Sequence, residues 1–428
     1  MATVHDLTGA PLDSGTAGSI LRDRRFARYW SANAVSVIGD QVGAVAVPLT
    51  AALVLDANAA QMGLLTAAVW VPHLLFSLPF GAWIDASSRR RQLMVLTDLA
   101  RGAVVALVPL AYALDRLSMP LLYAVVLLVG TLTVAFDQCS SSLLSLVAPR
   151  GRLAEASSWL NGSRAASYVG GPPVAGLLVA ALRAPFAMLV DAASFVLSAA
   201  MLRGLPVDEP DVLPLEGVRL RTRIAEGLSF IWRHPVLRPF YVCASTINFF
   251  NFMFSAVLVL YMSRTLALSP QLIGLVLGAG AVGGLAGAAI ASRLTRRIGI
   301  GHTLVLGVVL FAAGPLLVPL AGLNGIPAVP LLIAAEVIAG VGVMLLDVPA
   351  GVLIMTLVPY RMRARAGASG RVVNYGIRPF GALAGGAVGQ AFGLRTAITV
   401  AGVGGLTAIA LGWWSPVRRI HDEPEQAV

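Results

Sequence analysis

Gly81-Ala82-Trp83-Ile84-Asp85-Ala86-Ser87-Ser88-Arg89-Arg90-Arg91 is a charged hairpin caught between two long apolar runs, residues 62–84 and 93–114. An acid followed by three arginines, placed where a chain leaves hydrocarbon, reads as a loop at a membrane face. Gly81 lets a neighbouring helix backbone approach, Asp85 can cap the positive N-terminus of another helix, and the arginines stay in water.

Working outward, the same alternation runs through the chain. Of 428 residues 57% are hydrophobic and 12% charged, and the mean hydropathy is +0.81. That apolar content exceeds what one water-soluble core can hide. Twelve apolar runs are each long enough to cross about 30 Å of hydrocarbon as a helix: 26–55, 62–84, 93–114, 120–147, 157–182, 185–203, 237–263, 271–292, 303–323, 328–357, 366–392 and 394–415. The expected class is an all-α integral membrane protein of twelve transmembrane helices.

The formal charge of +10 has a membrane cause. All 31 basic residues are arginine, and they gather before the first run and after the even-numbered runs, at Arg89 to Arg91, Arg150 and Arg152, Arg219 to Arg223, Arg293 to Arg297 and Arg361 to Arg365. The opposite loops hold single arginines such as Arg116 and Arg264. Positive loops stay inside, so both termini are expected in the cytoplasm, and nucleic acid is not expected as a partner.

Residues 1–21 lack the layout of a signal peptide and read as a tail. Residues 22–203 and 237–415 read as two six-helix bundles joined by the polar segment 204–236, with a charged tail at 416–428. Within the linker Leu220, Ile224, Leu228 and Ile231 recur at helical spacing beside arginines, which predicts an amphipathic helix on the cytoplasmic leaflet. The halves repeat: a shift of 210 residues lays Asp137 on Asp347, Pro149 on Pro359, Gly171 on Gly381 and Gly176 on Gly386. The opening loop recurs more weakly at 287–297, with Ala291 where Asp85 stands. Two pseudo-symmetric six-helix bundles in parallel repeat follow.

Ionisable groups at bilayer depth cost at least about 2.5 kcal/mol each, so those present need a reason. Asp40, Asp137, Glu336 and Asp347, with His73, are the candidate proton-coupling groups, and Arg164, Arg371 and Arg378 the candidate buried charge partners. Asp40 has no partner on its own helix, which leaves it free to take up and release a proton. Asp347 or Glu336 can pair with an arginine of 366–392. Asp191 reads as interfacial, as do Asp98 and Arg101. Asn33 and Ser36 share the Asp40 face, and Asn248, Asn251 and Phe252 lie on a run rich in amides and aromatics. These five are the candidate cavity-lining residues for a bulky, largely apolar ligand. Gly170, Gly171, Pro172 and Gly176 predict a close, bent helix seam. Cys139 and Cys243 read as packing residues. No metal site, cofactor or enzymatic chemistry is expected: there is no phosphate-binding loop, no lysine to complete one, and no H-E-x-x-H or C-x-x-C cluster.

The Gly81, Asp85, Arg89 and Arg90 frame resembles the loop signature G-x-x-x-D-R-x-G-R-[RK] of the major facilitator superfamily, with Ala86 and Ser88 where that signature has arginine and glycine. The resemblance extends over residues 24–415. Gly39-Asp40-Gln41, Phe136-Asp137 and Glu226 to Pro235 resemble the bacterial drug:proton antiporter branch that includes macrolide and siderophore exporters. It implies alternating access in a bacterial inner membrane by a monomer, with Gly81, Asp85, Arg89 and Arg90 gating the cytoplasmic side. The resemblance further implies that protons neutralise Asp40, together with Asp137 or Glu336, as a drug, antibiotic or siderophore-like amphiphile is exported. Import or facilitated passage of a metabolite, lipid flipping by the same fold, and a membrane receptor without flux are the alternatives.

Overall fold

The computed structural model describes residues 19–85, 87–149, 151–207, 209, 220–359 and 362–414. Residues 1–18 of the first expected tail, all of the second at 416–428, and the middle of the linker lie outside the described residues. Thirteen α-helices are described: α1 (Arg24–Leu53), α2 (Ala59–Asp85), α3 (Arg90–Ala113), α4 (Met119–Val147), α5 (Leu153–Leu182), α6 (Ala184–Arg203), α7 (Leu220–Arg233), α8 (Leu237–Leu260), α9 (Pro270–Ile298), α10 (Ile300–Leu317), α11 (Ala328–Leu357), α12 (Arg363–Phe392) and α13 (Leu394–Trp414). Eleven of them are long and apolar enough to cross a membrane. Helix α12, with Arg371, Asn374 and Arg378 along it, falls outside that set, yet its thirty residues pack between α2, α8 and α13. It completes twelve crossings.

Local chemistry sets the helix ends. The Asp23 carboxylate accepts from the backbone N–H groups of Arg25 (2.8 Å) and Phe26 (3.1 Å), capping α1. Prolines open α4, α6 and α9 in the first turn, where no N–H is missed. Gly299 and Gly393 turn the chain at φ +85° and +90°. Arg183 makes the turn equivalent to Gly393 at φ 70°, ψ 151°, a region that only glycine adopts without strain.

The main helix pairings of the first bundle have counterparts in the second. α1 lies against α5 and α6 as α8 lies against α12 and α13; α3 meets α4 and α6 as α10 meets α11 and α13; α2 meets α4 as α9 meets α11. The bundles join along two related seams, α2 with α12 and α5 with α9. In the first, a Cβ on Gly386 would stand 2.8 Å from the Ala59 carbonyl oxygen; in the second, one on Gly176 would stand 2.5 Å from that of Pro270. Backbones touch at both places because no side chain intervenes. The largest buried apolar cluster draws on both bundles, including Val42, Leu49, Met62, Phe254 and Ile273. It closes the end away from the arginine-rich loops, where Arg264 reaches Asp56 of the other bundle at 2.6 Å. Toward the arginine-rich end Asp137, Arg164 and Tyr168 of one bundle, and Asp347 and Arg371 of the other, stand exposed.

Two expectations about the loops change, and one helix cap comes from outside the hairpin. The repeat of the charged hairpin, 291–297, is helical, because α9 runs unbroken to Ile298 and Gly299 alone makes the turn. The cap on α3 comes from Glu209, whose carboxylate accepts from the N–H groups of Arg90 (2.5 Å) and Arg91 (2.9 Å), an acid satisfying a positive helix end. The side chain of Asp85 lies outside the described residues. The apolar face of α7 docks on protein: Ile231 is fully buried among Leu237, Tyr241, Val358 and Ala366, while Leu228 and Trp232 face outward. The expected helix is there, but its Ile231 is taken by α8, α11 and α12.

The first bundle is knotted at Arg101 of α3, which is 1% exposed. Its guanidinium pairs with Asp98, which in turn accepts from the Ser198 hydroxyl of α6 at 2.6 Å. Phe136 of α4 and Phe195 of α6 each lie with ring centroids 4.3 Å from the guanidinium carbon. Asp98 and Arg101 do neutralise one another, but deep in the bundle, because α3 begins eight residues before Asp98.

Arg101→Leu leaves Asp98 buried without its cation and is expected to cost about 3–5 kcal/mol. Thermal unfolding of the purified protein is expected to show that loss, with most of it recovered in the Arg101→Leu, Asp98→Leu double variant. Arg183→Gly is expected to raise stability by about 1–3 kcal/mol through relief of backbone strain, read in the same assay.

Candidate functional site

Two cavities flank the centre of the molecule. The larger, about 670 Å³, belongs to the second bundle and is lined by Asn248, Asn251 and Phe252 of α8, Asp347 of α11, and Arg371 and Arg378 of α12. The smaller, about 400 Å³, lies toward the closed end and is lined by Asp40 of α1, His73 of α2, Thr133 of α4, Asp191 of α6 and Ser255 of α8.

An aromatic cluster stands between them. Trp70 packs against His73 (5.2 Å between centroids), Phe252 (5.0 Å) and Tyr375 (5.8 Å). Arg378 lies on it, its guanidinium carbon 4.1 Å from the Trp70 ring and 4.3 Å from that of Tyr375. A cation over an aromatic face is stabilised without an anion, and Arg378 adds a hydrogen bond from Nη2 to Asn374 Oδ1 at 2.8 Å. Thus Trp70 and His73 of the first bundle meet Phe252, Tyr375 and Arg378 of the second at the floor of the open chamber.

Behind that floor the acids converge. Asp40 lines the inner cavity with 36% of its side chain exposed, and its carboxylate lies 3.9 Å from Arg101 Nη1. It therefore has the cation that its own helix does not supply, one already engaged by Asp98. Asp191 is 4% exposed and its Oδ1 has no hydrogen-bond partner. It is seated against α1: a Cβ on Gly43 would come within 2.5 Å of Asp191 Oδ2 and one on Gly39 within 2.9 Å of Oδ1. Its electrostatic neighbours are Asp40 and Arg101. Two carboxylates thus share a mostly apolar space with a guanidinium that a third has taken. Such a set holds its charge best when a proton or another cation joins it.

Asp191 is therefore not interfacial. Its partner signal was the Gly39 and Gly43 pair, four residues apart beside Asp40, which marks close approach of another helix. The i, i+3 spacing pairs Arg101 with Asp98, but its depth follows from where α3 begins.

Other candidates divide. Asn248, Asn251 and Phe252 line the larger cavity. Asn33 and Ser36 do not line either one: Asn33 is 5% exposed, donates to the Tyr29 carbonyl and accepts from the Ser140 hydroxyl at 2.9 Å, and Ser36 is 1% exposed. Asn33 thus fastens α1 to α4, while the Ser36 Oγ beside it is buried without a hydrogen-bond partner. Asp137 faces the open chamber with Arg164 and His73 as its electrostatic neighbours. Asp347 faces it beside Arg378, and among the described residues neither Asp347 nor Glu336 forms an ion pair with an arginine of α12. Glu336 instead lies at the α9 contact, where a Cβ on Gly280 would stand 3.0 Å from its Oε2. Gly171 and Gly176 make close contacts with α1 and α9; Gly170 touches nothing within 4 Å of where a Cβ would stand. In the charged hairpin Gly81 faces Gln138 loosely, Arg89 precedes α3 exposed, and Arg90 is buried with Nε donating to the Ile84 carbonyl. Cys139 and Cys243 are buried free thiols.

The comparisons agree with this architecture. The computed chain overlays a bacterial homologue of the iron transporter ferroportin in an inward-facing state with TM-score 0.71, at 20% identity and covering 92% of this chain and 99% of the other. It overlays a bacterial homologue of the lysosomal transporter Spinster, inward-facing and occupied, with TM-score 0.72 at 15% identity, covering 94% and 98%. Among curated relatives, the MFS-type transporter YfiS of Bacillus subtilis is 27% identical over 360 residues, 82% of this chain and 80% of that protein. The multidrug efflux pump Tap of Mycolicibacterium fortuitum is 27% identical over 354 residues, 79% and 83%, and Tap of Mycobacterium tuberculosis 29% over 285, 62% and 66%. The family model for the Major Facilitator Superfamily matches residues 29–263 and again 240–427. With both halves matched and twelve crossings arranged as a parallel repeat, the chain is a multi-pass membrane transporter of the major facilitator superfamily.

Proposed function

We propose that the chain exports a bulky amphiphilic small molecule in exchange for protons, by alternating access. The observation that carries this reading is the carboxyl pair Asp40 and Asp191, set beside the already neutralised Arg101 and behind the aromatic floor of an open chamber. The Tap relatives, described as multidrug efflux pumps, support the direction.

In the proposed cycle, residues 22–203 and 237–415 move as two bodies tethered by 204–236. The arginine-rich end is the cytoplasmic one by the positive-inside rule, so the conformation seen is open to the cytoplasm. Substrate enters between Asn248, Asn251, Phe252 and the α12 arginines. The bundles then rock about the glycine contacts of the α2–α12 and α5–α9 seams, opening the far end. A proton from outside reaches Asp40 and removes its repulsion with Asp191, freeing α1 and α6 to return. Asp137, exposed beside Arg164 and His73, passes the proton toward the cytoplasm. Asp85, Arg89 and Arg90 close the cytoplasmic end in the outward state. Each bundle supplies part of the site, so one copy of the chain suffices, and a bacterial inner membrane is its place.

Asp40→Asn keeps the volume and removes the titrating group. In proteoliposomes it is expected to lower pH-gradient-driven flux by at least about a hundredfold, the scale of a lost proton-transfer group, while substrate counterflow without a gradient persists. Full gradient-driven flux in that variant sinks the coupling role. A reporter fused after Val428 is expected to be inaccessible to externally added protease in intact cells; cleavage there reverses the assigned orientation.

A further inference from the structure

The charges of the open chamber do not cancel, and their surplus lies in one place. Asp137 has Arg164 as its neighbour, and Asp347 has Arg378. Arg371, exposed on α12 and lining the larger cavity, has no carboxylate: among the described residues it forms no ion pair and no hydrogen bond. Two turns along the same helix face, Arg378 keeps its Nε buried without a hydrogen-bond partner while its ring-like plane lies on Trp70 and Tyr375. Between and around them stand the amides of Asn248, Asn251 and Asn374. A guanidinium offers a fork of donors that matches a carboxylate or sulfonate with two parallel bonds. Amides add donors without adding charge, and the walls formed by Phe252, Ile247 and Val308 suit an apolar body.

Resting on the transporter reading, we infer that the larger cavity of the second bundle selects an organic anion, with Arg371 as the residue that meets its acidic group and Arg378 as the second donor held on the aromatic floor. The ligand's apolar part lies along α8. The assignment also divides the labour of the site: the anion is held by α12, and the proton by α1 and α6, on opposite sides of Trp70.

Equilibrium dialysis of the purified full chain in neutral-lipid nanodiscs, against 2-naphthoate, 2-naphthamide and 2-naphthyltrimethylammonium, tests this with one apolar body and three head groups. The carboxylate is expected to bind about tenfold or more tighter than the other two, as a charge-assisted hydrogen-bond pair provides. Arg371→Gln is expected to abolish that preference, and Arg371→Lys to keep part of it, with unfolding temperatures of both close to the parent because the side chain stands exposed in the chamber. The inference is overturned if the ammonium probe binds as tightly as the carboxylate, if the preference survives Arg371→Gln, or if none of the three binds. Gradient-driven flux in proteoliposomes, intact alongside such a result, leaves the exporter reading standing and removes only the anion.

Discussion

A guanidinium buried to 1% exposure is the constraint on which the first bundle depends. Such a group is tolerated in a membrane when its charge is paired and its two flat faces are covered. Asp98 meets the charge, and Phe136 and Phe195 cover the faces, so one residue of α3 fixes the approach of α4 and α6. Asp40 of α1 comes within 3.9 Å of the same group. A carboxylate that shares its cation with a closer acid is held weakly, which suits the charge change that the proposed cycle assigns to Asp40. The stable pair thus positions the labile one.

Small residues provide the complementary constraint. Gly176 and Gly386, one repeat apart, are the residues at which each bundle touches the other, through α9 and α2. Gly171 and Gly381, also one repeat apart, seat α5 on α1 and α12 on α8. The same two positions in each half therefore serve one contact within the bundle and one between bundles. Contacts made by backbone against backbone carry little interlocking side-chain shape, so they can part and reform without repacking a core.

This is why the fold was legible and the site only partly so. Helix number, bundle count and the paired glycines are written in periods and spacings, and Gly171, Gly176, Gly381 and Gly386 appear in the sequence at the distances that the structure uses. Partnership across helices is not written that way. No spacing joins Asp40 to its cation, because Arg101 is on another helix. Asn33 lies on a polar stripe that a sequence cannot assign to water or to Ser140. The apolar face of α7 predicts a helix, but lipid and the Val358 region satisfy it equally well. The run 291–297 looked like a loop because a motif was carried over from the first half, although no turn residue precedes Gly299.

The repeat also shows where the halves part company. At a shift of 210 residues Asp40, Asp98, Arg101 and Asp191 fall on Phe250, Val308, Phe311 and Ala401. In the second bundle the place of the charged knot is apolar, with Val308 buried and Phe311 packed beside it. Conversely Asn161, Arg164 and Tyr168 of α5 fall on Arg371, Asn374 and Arg378 of α12, so one face keeps its polarity but gains a cation. Two copies of one scaffold have thus diverged in charge at opposite depths: acids behind the aromatic floor in the first, arginines in front of it in the second. A symmetric pair of sites would bind the same ligand twice. In the proposed cycle, an asymmetric pair around a rocking seam holds two different ones in turn, on either side of Trp70.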